Sequence, residues 1–504
     1  MGKRVKDIAE KSLPWLYKGI FFFVVILAAY IQFLNPYITC DHIGLALYRL
    51  EASFGMKEIL DACSGGRFGV IPLRICYVIL GKLHVSHYEN MYILQIMGIL
   101  LFAVCCVILY KIFAAFFKDQ KKTLLVESII LLCFINPFMV EAYLYGSFDW
   151  AFGILLAVIA AKWLIQKKYI RALLMAFFTA SVYQTNILIV VIIALFACFL
   201  ENIGPEQKKW KLYLGSVKIL LTCGGAAALN IVIFKLFAQT GNVINEAKTV
   251  QASDNYFALI FKILRQVKST YVWMFGTYPI RFFPIFIMLI CGGTILFLVW
   301  RRQYYQALIW ILGTGILFLL PFAYMLAQNS TWCAQRTLFP VFFAAAMFFM
   351  GTLFFVKDRP SLCRIFTAAF IIFGGVTWYY TQTLITDCYT GQALDYSEVI
   401  CIEAEIQAYE ERTGITVDTV SWIKSEDAEY VHPLLMLQDG NICSHRIIYD
   451  VGHELLALIS QKDYKILWMT QEEYQQYFGD KEWDVFCPEE QLHFEDNVLY
   501  WAVY

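Results

Sequence analysis

Residues 15–34 read WLYKGIFFFVVILAAYIQFL and contain a single charged side chain, Lys18. A helix of about 20 such residues can cross the hydrocarbon core of a bilayer, which is about 30 Å thick. Further apolar blocks follow, and the chain of 504 residues is 60% hydrophobic and only 16% charged. Because backbone amides inside lipid must hydrogen-bond within their own segment, these blocks are predicted to be helices. The sequence therefore predicts an α-helical polytopic membrane protein.

Eleven apolar blocks are predicted to cross the membrane. They cover approximately residues 15–35, 89–115, 123–141, 149–166, 170–184, 186–201, 212–239, 279–300, 305–327, 337–356 and 364–385. Residues 68–85 are also apolar but contain Pro72, Arg74 and Lys82, so we interpret them as an amphipathic helix at the outer interface. Counting them as a twelfth crossing would move the later basic clusters to the outside.

The distribution of charge predicts the orientation. Basic clusters normally mark the cytoplasmic side, and here they occur in the N-terminus and in five later connections. These connections are residues 118–122, 167–171, 208–211, 301–302 and 357–364. With the N-terminus in the cytoplasm, eleven crossings leave all of these clusters inside. The chain is thus predicted to be a multi-pass protein of the cell membrane.

The C-terminal part differs in composition from the rest. Residues 386–504 carry 6 Lys and Arg against 24 Asp and Glu, whereas residues 1–385 carry 34 against 16. Helical spacing over residues 398–412 and strand-like patterns over 414–423 and 464–469 predict a small α/β or α+β domain. We therefore predict a membrane domain, 1–385, and an acidic extracytoplasmic accessory domain, 386–504.

An aspartate follows the first apolar block closely, in NPYITCDH, residues 35–42. Asp41 would be partly desolvated there, which raises the pKa of a carboxyl group and suits it to act as a general base. By residue type alone, a helix cap or a solvated loop acid explains Asp41 more simply.

Two arginines are expected on the same outer side. Arg67 lies in GGRFGVIP, residues 65–72, and Arg336 follows the outer loop at 328–335. A guanidinium group matches the oxygens of a phosphate, so either arginine could hold a phosphate-bearing lipid. The alternative is an interfacial anchor whose charge reaches the lipid headgroups.

Polar residues in two further motifs point to the same face. Glu141, Tyr145 and Asp149 lie in NPFMVEAYLYGSFDW, residues 136–150, and ionisable groups near a membrane suggest function. The alternative is a turn whose acids cap helices. Gln184 and Asn186, in SVYQTN, interrupt a long apolar run; they form either a simple turn or the polar lining of a sugar site.

In a set of motifs that occur in order, the chain resembles the Gtr-type glucosyltransferases of bacterial O-antigen modification. These motifs are Asp41, GGRFGVIP, NPFMVEAYLYGSFDW, SVYQTN and Arg336. That family is similar to the wider C-type glycosyltransferases. The resemblance implies a C-type glycosyltransferase fold with juxtamembrane helices. It also implies transfer of a sugar, with glucose the first candidate, from a polyprenyl-phosphate-linked donor to a cell-surface glycan.

The resemblance also implies roles for individual residues. Asp41 would be the catalytic base, Arg67 or Arg336 would hold the phosphate, and Glu141, Tyr145, Asp149 and Gln184 would contact substrate. Relatives often have two adjacent acids where this chain has Cys40, Asp41 and His42, so more of the chemistry would fall on Asp41. No cofactor or protein-bound metal is expected, and metal dependence is left open.

The partners implied are the lipid-linked donor, the glycan acceptor and the bilayer, with no nucleic acid. A flippase and a polyprenyl-phosphate glycosyltransferase would supply the donor. Two other functions stay open. A transporter or flippase of lipid-linked glycans is one, although no internal repeat is evident. A scaffold whose outer domain binds wall components is the other.

Overall fold

A computed structural model describes most of the chain. The described residues are 2–35, 37, 67–82, 91–117, 123–144, 147–203, 209–238, 255–328, 331, 333–424, 446–479, 481, 483 and 485–503. They form two compact units. The first contains residues 2–34, 67–82 and 91–382, and the second contains residues 383–503 with Asn35 and Tyr37.

Sixteen α-helices precede the first strand in the described part of the chain. They are α1 (Gly2–Tyr30), α2 (Ile71–Lys82), α3 (Met91–Phe113), α4 (Thr123–Leu131), α5 (Pro137–Leu144), α6 (Ser147–Ile165), α7 (Tyr169–Val182), α8 (Asn186–Asn202), α9 (Lys209–Ala238), α10 (Tyr256–Trp273), α11 (Phe282–Trp300), α12 (Tyr304–Leu319), α13 (Tyr324–Gln328), α14 (Gln335–Leu338), α15 (Pro340–Val356) and α16 (Pro360–Thr413). Short 3₁₀ turns follow α1, at Ile31–Leu34, and precede α2, at Phe68–Val70.

Eight helical segments among the described residues are long and apolar enough to cross a membrane. They are Leu13–Leu34, Tyr92–Phe116, Phe148–Ile165, Trp210–Leu236, Phe282–Trp300, Tyr304–Phe322, Gln335–Val356 and Pro360–Thr413. Each corresponds to a predicted crossing, so the helical membrane fold is confirmed, whereas the number eleven is not. Helices α7 and α8 have 14 and 17 residues, which span only about 21 and 26 Å at 1.5 Å per residue.

The predicted crossing at 123–141 is instead two short helices, α4 and α5. Pro137 lacks an amide hydrogen and disfavours helix in the residue before it, so the helix breaks there. Asn136 caps the break: its side-chain oxygen accepts from the Met139 amide at 3.1 Å, and its nitrogen donates to the Leu132 carbonyl at 2.9 Å. The segment therefore contains a turn where the apolar pattern predicts a continuous span.

Helix α1 holds this broken segment at both ends. The Tyr30 hydroxyl donates to the carbonyls of Phe134, at 3.0 Å, and Asn136, at 3.3 Å. Toward the other end, Lys18 pairs with Glu127 of α4. Backbone groups freed by the break thus find a partner within the protein, as an apolar environment requires.

Residues predicted to lie at the interface are also helical. Of the stretch 68–85, the described residues 68–82 form the 3₁₀ turn at Phe68–Val70 and the 12-residue helix α2, which is too short to span a bilayer. Helix α15 is buried along nearly its whole length and packs against α4, α8, α11 and α12. Since α14 directly precedes α15, the position of Arg336 is tied to this central helix.

The second unit contains a four-stranded sheet with strand order β2-β1-β4-β3. The strands are β1 (Thr419–Lys424), β2 (Lys465–Trp468), β3 (Leu492–Glu495) and β4 (Val498–Val503), with helices α17 (Ile448–Ser460), α18 (Gln471–Tyr477) and α19 (Pro488–Gln491). Strand β1 runs parallel to β2 and β4, and β3 is antiparallel to β4. The predicted mixture of helix and sheet is therefore present in the C-terminal region.

One predicted strand begins later than its pattern indicates. The alternation over 414–423 predicts a strand from Gly414, but β1 starts at Thr419. Gly414 has φ +71°, the left-handed conformation that commonly ends a helix. The residues that follow connect the end of α16 to the strand, and the Glu410 carboxylate accepts from the Val417 amide at 2.9 Å.

A fully buried ion pair lies in the core of the second unit. The Arg446 Nε donates to Asp395 Oδ1 at 2.7 Å, and the other Asp395 oxygen accepts from the Ile447 amide at 2.8 Å. Both side chains are only 1% exposed. Breaking such a pair from one side leaves a buried charge without its partner, which costs far more than removing a surface pair.

We expect Arg446→Met to destabilise the second unit by about 3–5 kcal/mol. Urea-dependent proteolysis of the full chain in detergent, with detection of C-terminal fragments, measures this loss. Lys462→Met is the matched control, because its pair with Glu410 is much more exposed and is worth about 1 kcal/mol or less. Equal resistance of the two variants would contradict a structural role for the buried pair.

Candidate functional site

A buried ion pair joins two distant segments of the first unit. Glu141, on α5, has no exposed surface, and one of its carboxylate oxygens accepts from the Arg336 amide at 2.7 Å. Its other oxygen accepts from the Arg336 guanidinium. The Arg336 side chain keeps 23% of its surface exposed. Glu141 is therefore neutralised by Arg336 and holds that arginine at two points.

A second arginine lies over an aromatic ring. The Arg67 guanidinium is 5.0 Å from the centroid of the Tyr183 ring, in the turn between α7 and α8. The turn after Arg67 packs on α7, where the rings of Phe68 and Phe177 are 5.2 Å apart. A Cβ atom on Gly69 would lie 2.3 Å from the Ser181 hydroxyl oxygen. Only glycine allows this approach.

Tyr183 connects the two arginines. Its phenol lies close to the charges of both Arg67 and Arg336, and Arg336 hydrogen-bonds to it. The phenol therefore lies between two cations.

Aromatic contacts bring a fourth segment to this cluster. The Trp150 ring lies 4.4 Å from the Tyr183 ring and 5.8 Å from the Phe339 ring, centroid to centroid. Trp150 follows Asp149 in the first turn of α6. Segments 67–70, 141–144 with 147–150, 183–186 and 335–339 thus meet in one place. We call this place the arginine site, defined by Arg67, Glu141, Tyr183 and Arg336.

Two fully buried amide side chains lie in these same segments. Neither the nitrogen nor the oxygen of the Asn186 and Gln335 side chains has a hydrogen-bond partner among the described residues. The Asn186 nitrogen points at α6, 2.3 Å from where a Cβ on Gly153 would lie. A buried polar group without a partner typically costs about 1–3 kcal/mol. Amides that both donate and accept are suited to water or to the hydroxyl groups of a sugar.

The predicted site residues divide into three groups. Asp41 and Tyr145 lie outside the described residues. Arg67, Glu141 and Arg336 come together as described. Asp149 and Gln184 neighbour this cluster, directly before Trp150 and directly after Tyr183. The structure thus gathers the described residues on one site, while the role of each in binding or catalysis stays a prediction.

Sequence reasoning missed several of the residues that build the site. Tyr183 and Trp150 appear in the quoted motifs and Gln335 ends the outer loop at 328–335, but none of the three was assigned a role. Asn186 was interpreted either as a turn or as sugar lining; it begins α8, and its side chain is buried. The sequence feature that could have identified them is their position beside residues already predicted for the site. Within the described part of the chain, no group of three or more His, Cys, Asp or Glu is arranged to hold a metal ion.

The fold and this site define a helical membrane protein with a charged, aromatic-lined site at one end of its helices. The chain belongs to the glucosyl transferase GtrII family, whose family model matches residues 61–379. The match contains Arg67, Glu141, Asp149, Gln184 and Arg336, whereas Asp41 and the second unit's sheet lie outside it. Neither the curated proteins nor the solved structures include a match to the chain. The family indicates glucosyltransferase activity.

We expect Gly69→Ala to displace the turn that carries Arg67. The added methyl group would meet backbone atoms of Ser181 and Val182 at 2.8 and 2.9 Å as well as the Ser181 hydroxyl. Overpacking of this kind costs about 1–3 kcal/mol. The melting temperature of the purified protein in detergent should fall accordingly.

Gly224→Ala is the control for this substitution. Gly224 lies within α9, and a Cβ there would meet no atom within 4 Å. Alanine favours helix over glycine by up to about 1 kcal/mol, so the control should be neutral or slightly stabilising. If both variants melt at the same temperature, the close approach of Gly69 to α7 is not important.

Proposed function

We propose that this protein transfers glucose from a polyprenyl-phosphate-linked donor to a cell-surface glycan, at the outer face of the membrane. The observation that carries the proposal is the convergence of Arg67 and Arg336 on Tyr183, with Glu141 holding Arg336. These four residues carry a net charge of +1. They therefore favour an anion such as the phosphate of the donor.

In the proposed reaction, a hydroxyl oxygen of the acceptor attacks the anomeric carbon of the donor sugar. The bond between that carbon and the phosphate oxygen breaks, and polyprenyl phosphate leaves with the bonding electrons. The acceptor proton goes to the Asp41 carboxylate. Arg67 and Arg336 neutralise the charge that develops on the phosphate, which is electrostatic stabilisation of the transition state.

Glu141 has a positioning role in this scheme. Its carboxylate is fully buried and engaged by both the amide and the guanidinium of Arg336. It therefore fixes the guanidinium in place rather than touching the donor. Fixing a charge before the substrate arrives avoids reorganisation at the moment of reaction.

The sugar would be bound beside the phosphate. Asn186 and Gln335 supply buried amides without protein partners among the described residues. Asp149 and Gln184 add a carboxylate and a further amide in the adjoining turns. Sugar hydroxyls both donate and accept hydrogen bonds, so they would satisfy the two orphaned amides and remove their cost.

The end of the first helix supports a role for Asp41. Tyr30 and Phe33 stack on Tyr143, with ring centroids 3.8 and 6.1 Å apart, and Tyr143 is two residues from Glu141. Asp41 follows Phe33 by eight residues in the sequence. The chain thus leaves α1 at the same end of the helices as the arginine site.

We expect Asp41→Asn to lose transfer activity by about 10²–10⁴-fold, the usual contribution of a general base. The measurement is glucose transfer by the full chain in proteoliposomes that contain the lipid-linked donor and a glycan acceptor. Glu51→Gln, in the same predicted outer loop, is the matched control and should stay active. Full activity of Asp41→Asn would assign the base to another residue. Movement of donor across the bilayer without transfer by the unsubstituted chain would indicate a transporter.

We expect Arg336→Gln to lower kcat by about 10²–10³-fold, since it removes a charge that stabilises the leaving phosphate. Glu141→Gln should also lower kcat, and the double variant should be little worse than Arg336→Gln alone, because Glu141 acts through Arg336. Arg281→Gln, at an exposed arginine before α11, should leave kcat unchanged. Additive losses in the double variant would contradict the positioning role of Glu141.

A further inference from the structure

A cavity of about 400 Å³ lies between the ends of α6, α7, α8 and α9 that are farthest from the arginine site. Leu164 and Ile165 at the end of α6 line it, whereas Asp149 and Trp150 at the start of α6 adjoin the arginine site. Sixteen residues separate Asp149 from Ile165, which corresponds to about 24 Å along a helix. The cavity is therefore separate from the proposed catalytic site.

Three lysines line this cavity. They are Lys167, from the turn between α6 and α7, and Lys211 and Lys218 from α9. The carboxylate among the lining residues is Glu201 of α8. The side chains that surround the space thus carry a net charge of +2, in a chain whose total charge is zero.

The helix ends around the cavity add to its positive potential. Helix α7 begins at Tyr169 and α9 begins at Lys209, so the amino-terminal turns of two helices adjoin the space. Amide groups at such ends favour anions. Helix α9 contributes six of the lining residues, which are Trp210, Lys211, Leu214, Gly215, Lys218 and Ile219. The charge is therefore concentrated on a regular element.

Aromatic and apolar side chains complete the lining. The Lys218 ammonium lies 5.7 Å from the centroid of the Tyr169 ring, and Trp210 is exposed over 56% of its surface. Leu214 and Ile219 present hydrocarbon beside the charges. Tryptophan and tyrosine are typical of the level of lipid headgroups. A ligand with both a phosphate and an acyl chain would match this combination.

Helix packing gives the cavity its shape. A Cβ atom on Gly215 would lie 2.6 Å from the Cys198 sulfur, so glycine allows α9 to approach α8 closely. One turn further along α8, the Asn202 side chain donates to the Cys198 carbonyl at 2.7 Å. The wall formed by α8 and α9 is thus fixed by close contact between the helices.

We propose that this cavity binds a phosphate-bearing anion, supplied either as the headgroup of an anionic phospholipid or as a soluble phosphate. Basic cavities between membrane helices on the cytoplasmic side are suited to such headgroups. Lys167 and Lys211 belong to clusters that the charge distribution predicts to be cytoplasmic, and Lys218 lies two turns after Lys211 on α9. The proposal is independent of the proposed function, because it uses none of the residues of the arginine site.

Binding of phosphatidylglycerol to the full chain in detergent, followed by native mass spectrometry, tests the proposal. We expect the double variant Lys211→Gln/Lys218→Gln to bind more weakly by about fivefold for each charge removed. Lys168→Gln is the matched control, since Lys168 is exposed, adjoins Lys167 and does not line the cavity. Lys211→Arg/Lys218→Arg keeps the charge and should keep the affinity.

A second arm distinguishes the sources of phosphate. Inorganic phosphate and glycerol phosphate are added as competitors at millimolar concentration. If they displace the lipid from the unsubstituted chain, the site recognises phosphate itself; if they do not, the site takes the lipid headgroup. Equal binding of phosphatidylglycerol by the glutamine variant, the control and the unsubstituted chain, with no effect of either competitor, would overturn the proposal.

A measurement on the unsubstituted chain covers the case in which the glutamine variant does not fold. Photoactivatable phosphatidylglycerol is cross-linked to the protein in vesicles of phosphatidylcholine, and the labelled peptides are mapped. We expect enrichment of label in residues 164–169, 198–202 and 210–219, with loss of that enrichment when unlabelled phosphatidylglycerol is in excess. Label distributed evenly over the lipid-facing helices would also overturn the proposal.

Discussion

The ion pair between Glu141 and Arg336 is the contact on which the site depends. A carboxylate without exposed surface stays ionised only if a cation and hydrogen bonds compensate its charge. Arg336 supplies both, from a segment 195 residues further along the chain. Each partner is in turn fixed by its own surroundings. Glu141 lies on α5, which begins at the Asn136–Pro137 break, and Arg336 lies just before the buried helix α15.

The membrane fold is largely predictable because it depends on local composition. A run of about 20 apolar residues must form a helix in lipid wherever it occurs, and eight predicted crossings have such helices. Prediction was poorer where a few residues override the helical tendency of the apolar run that contains them. The Asn136–Pro137 pair breaks an apolar run, and the polar turn at 183–186 leaves α7 and α8 short. No predicted strand covers β3 or β4. These two strands pair with each other, and β4 pairs with β1 across 79 residues of chain.

The candidate site was predictable as a set of segments but not as a set of contacts. Positive-inside bias and short motifs indicate that Arg67, Glu141, Asp149, Gln184 and Arg336 share one side. Nothing in their spacing shows that Glu141 binds Arg336, or that Arg67 lies over Tyr183, because these contacts arise only when distant helices pack. The unpaired amides of Asn186 and Gln335 are likewise invisible in sequence, since an amide in a turn usually finds a backbone partner.

The hydroxyl of Tyr30 has a consequence for how the chain enters the membrane. It hydrogen-bonds to two carbonyls at the break between α4 and α5. The backbone at this break therefore has its partner on a different helix, α1. Ribosomes deliver α1 first, and the partner is therefore already in the bilayer when residues 123–144 emerge. The order of synthesis therefore places the partner of the break in the chain before the break itself.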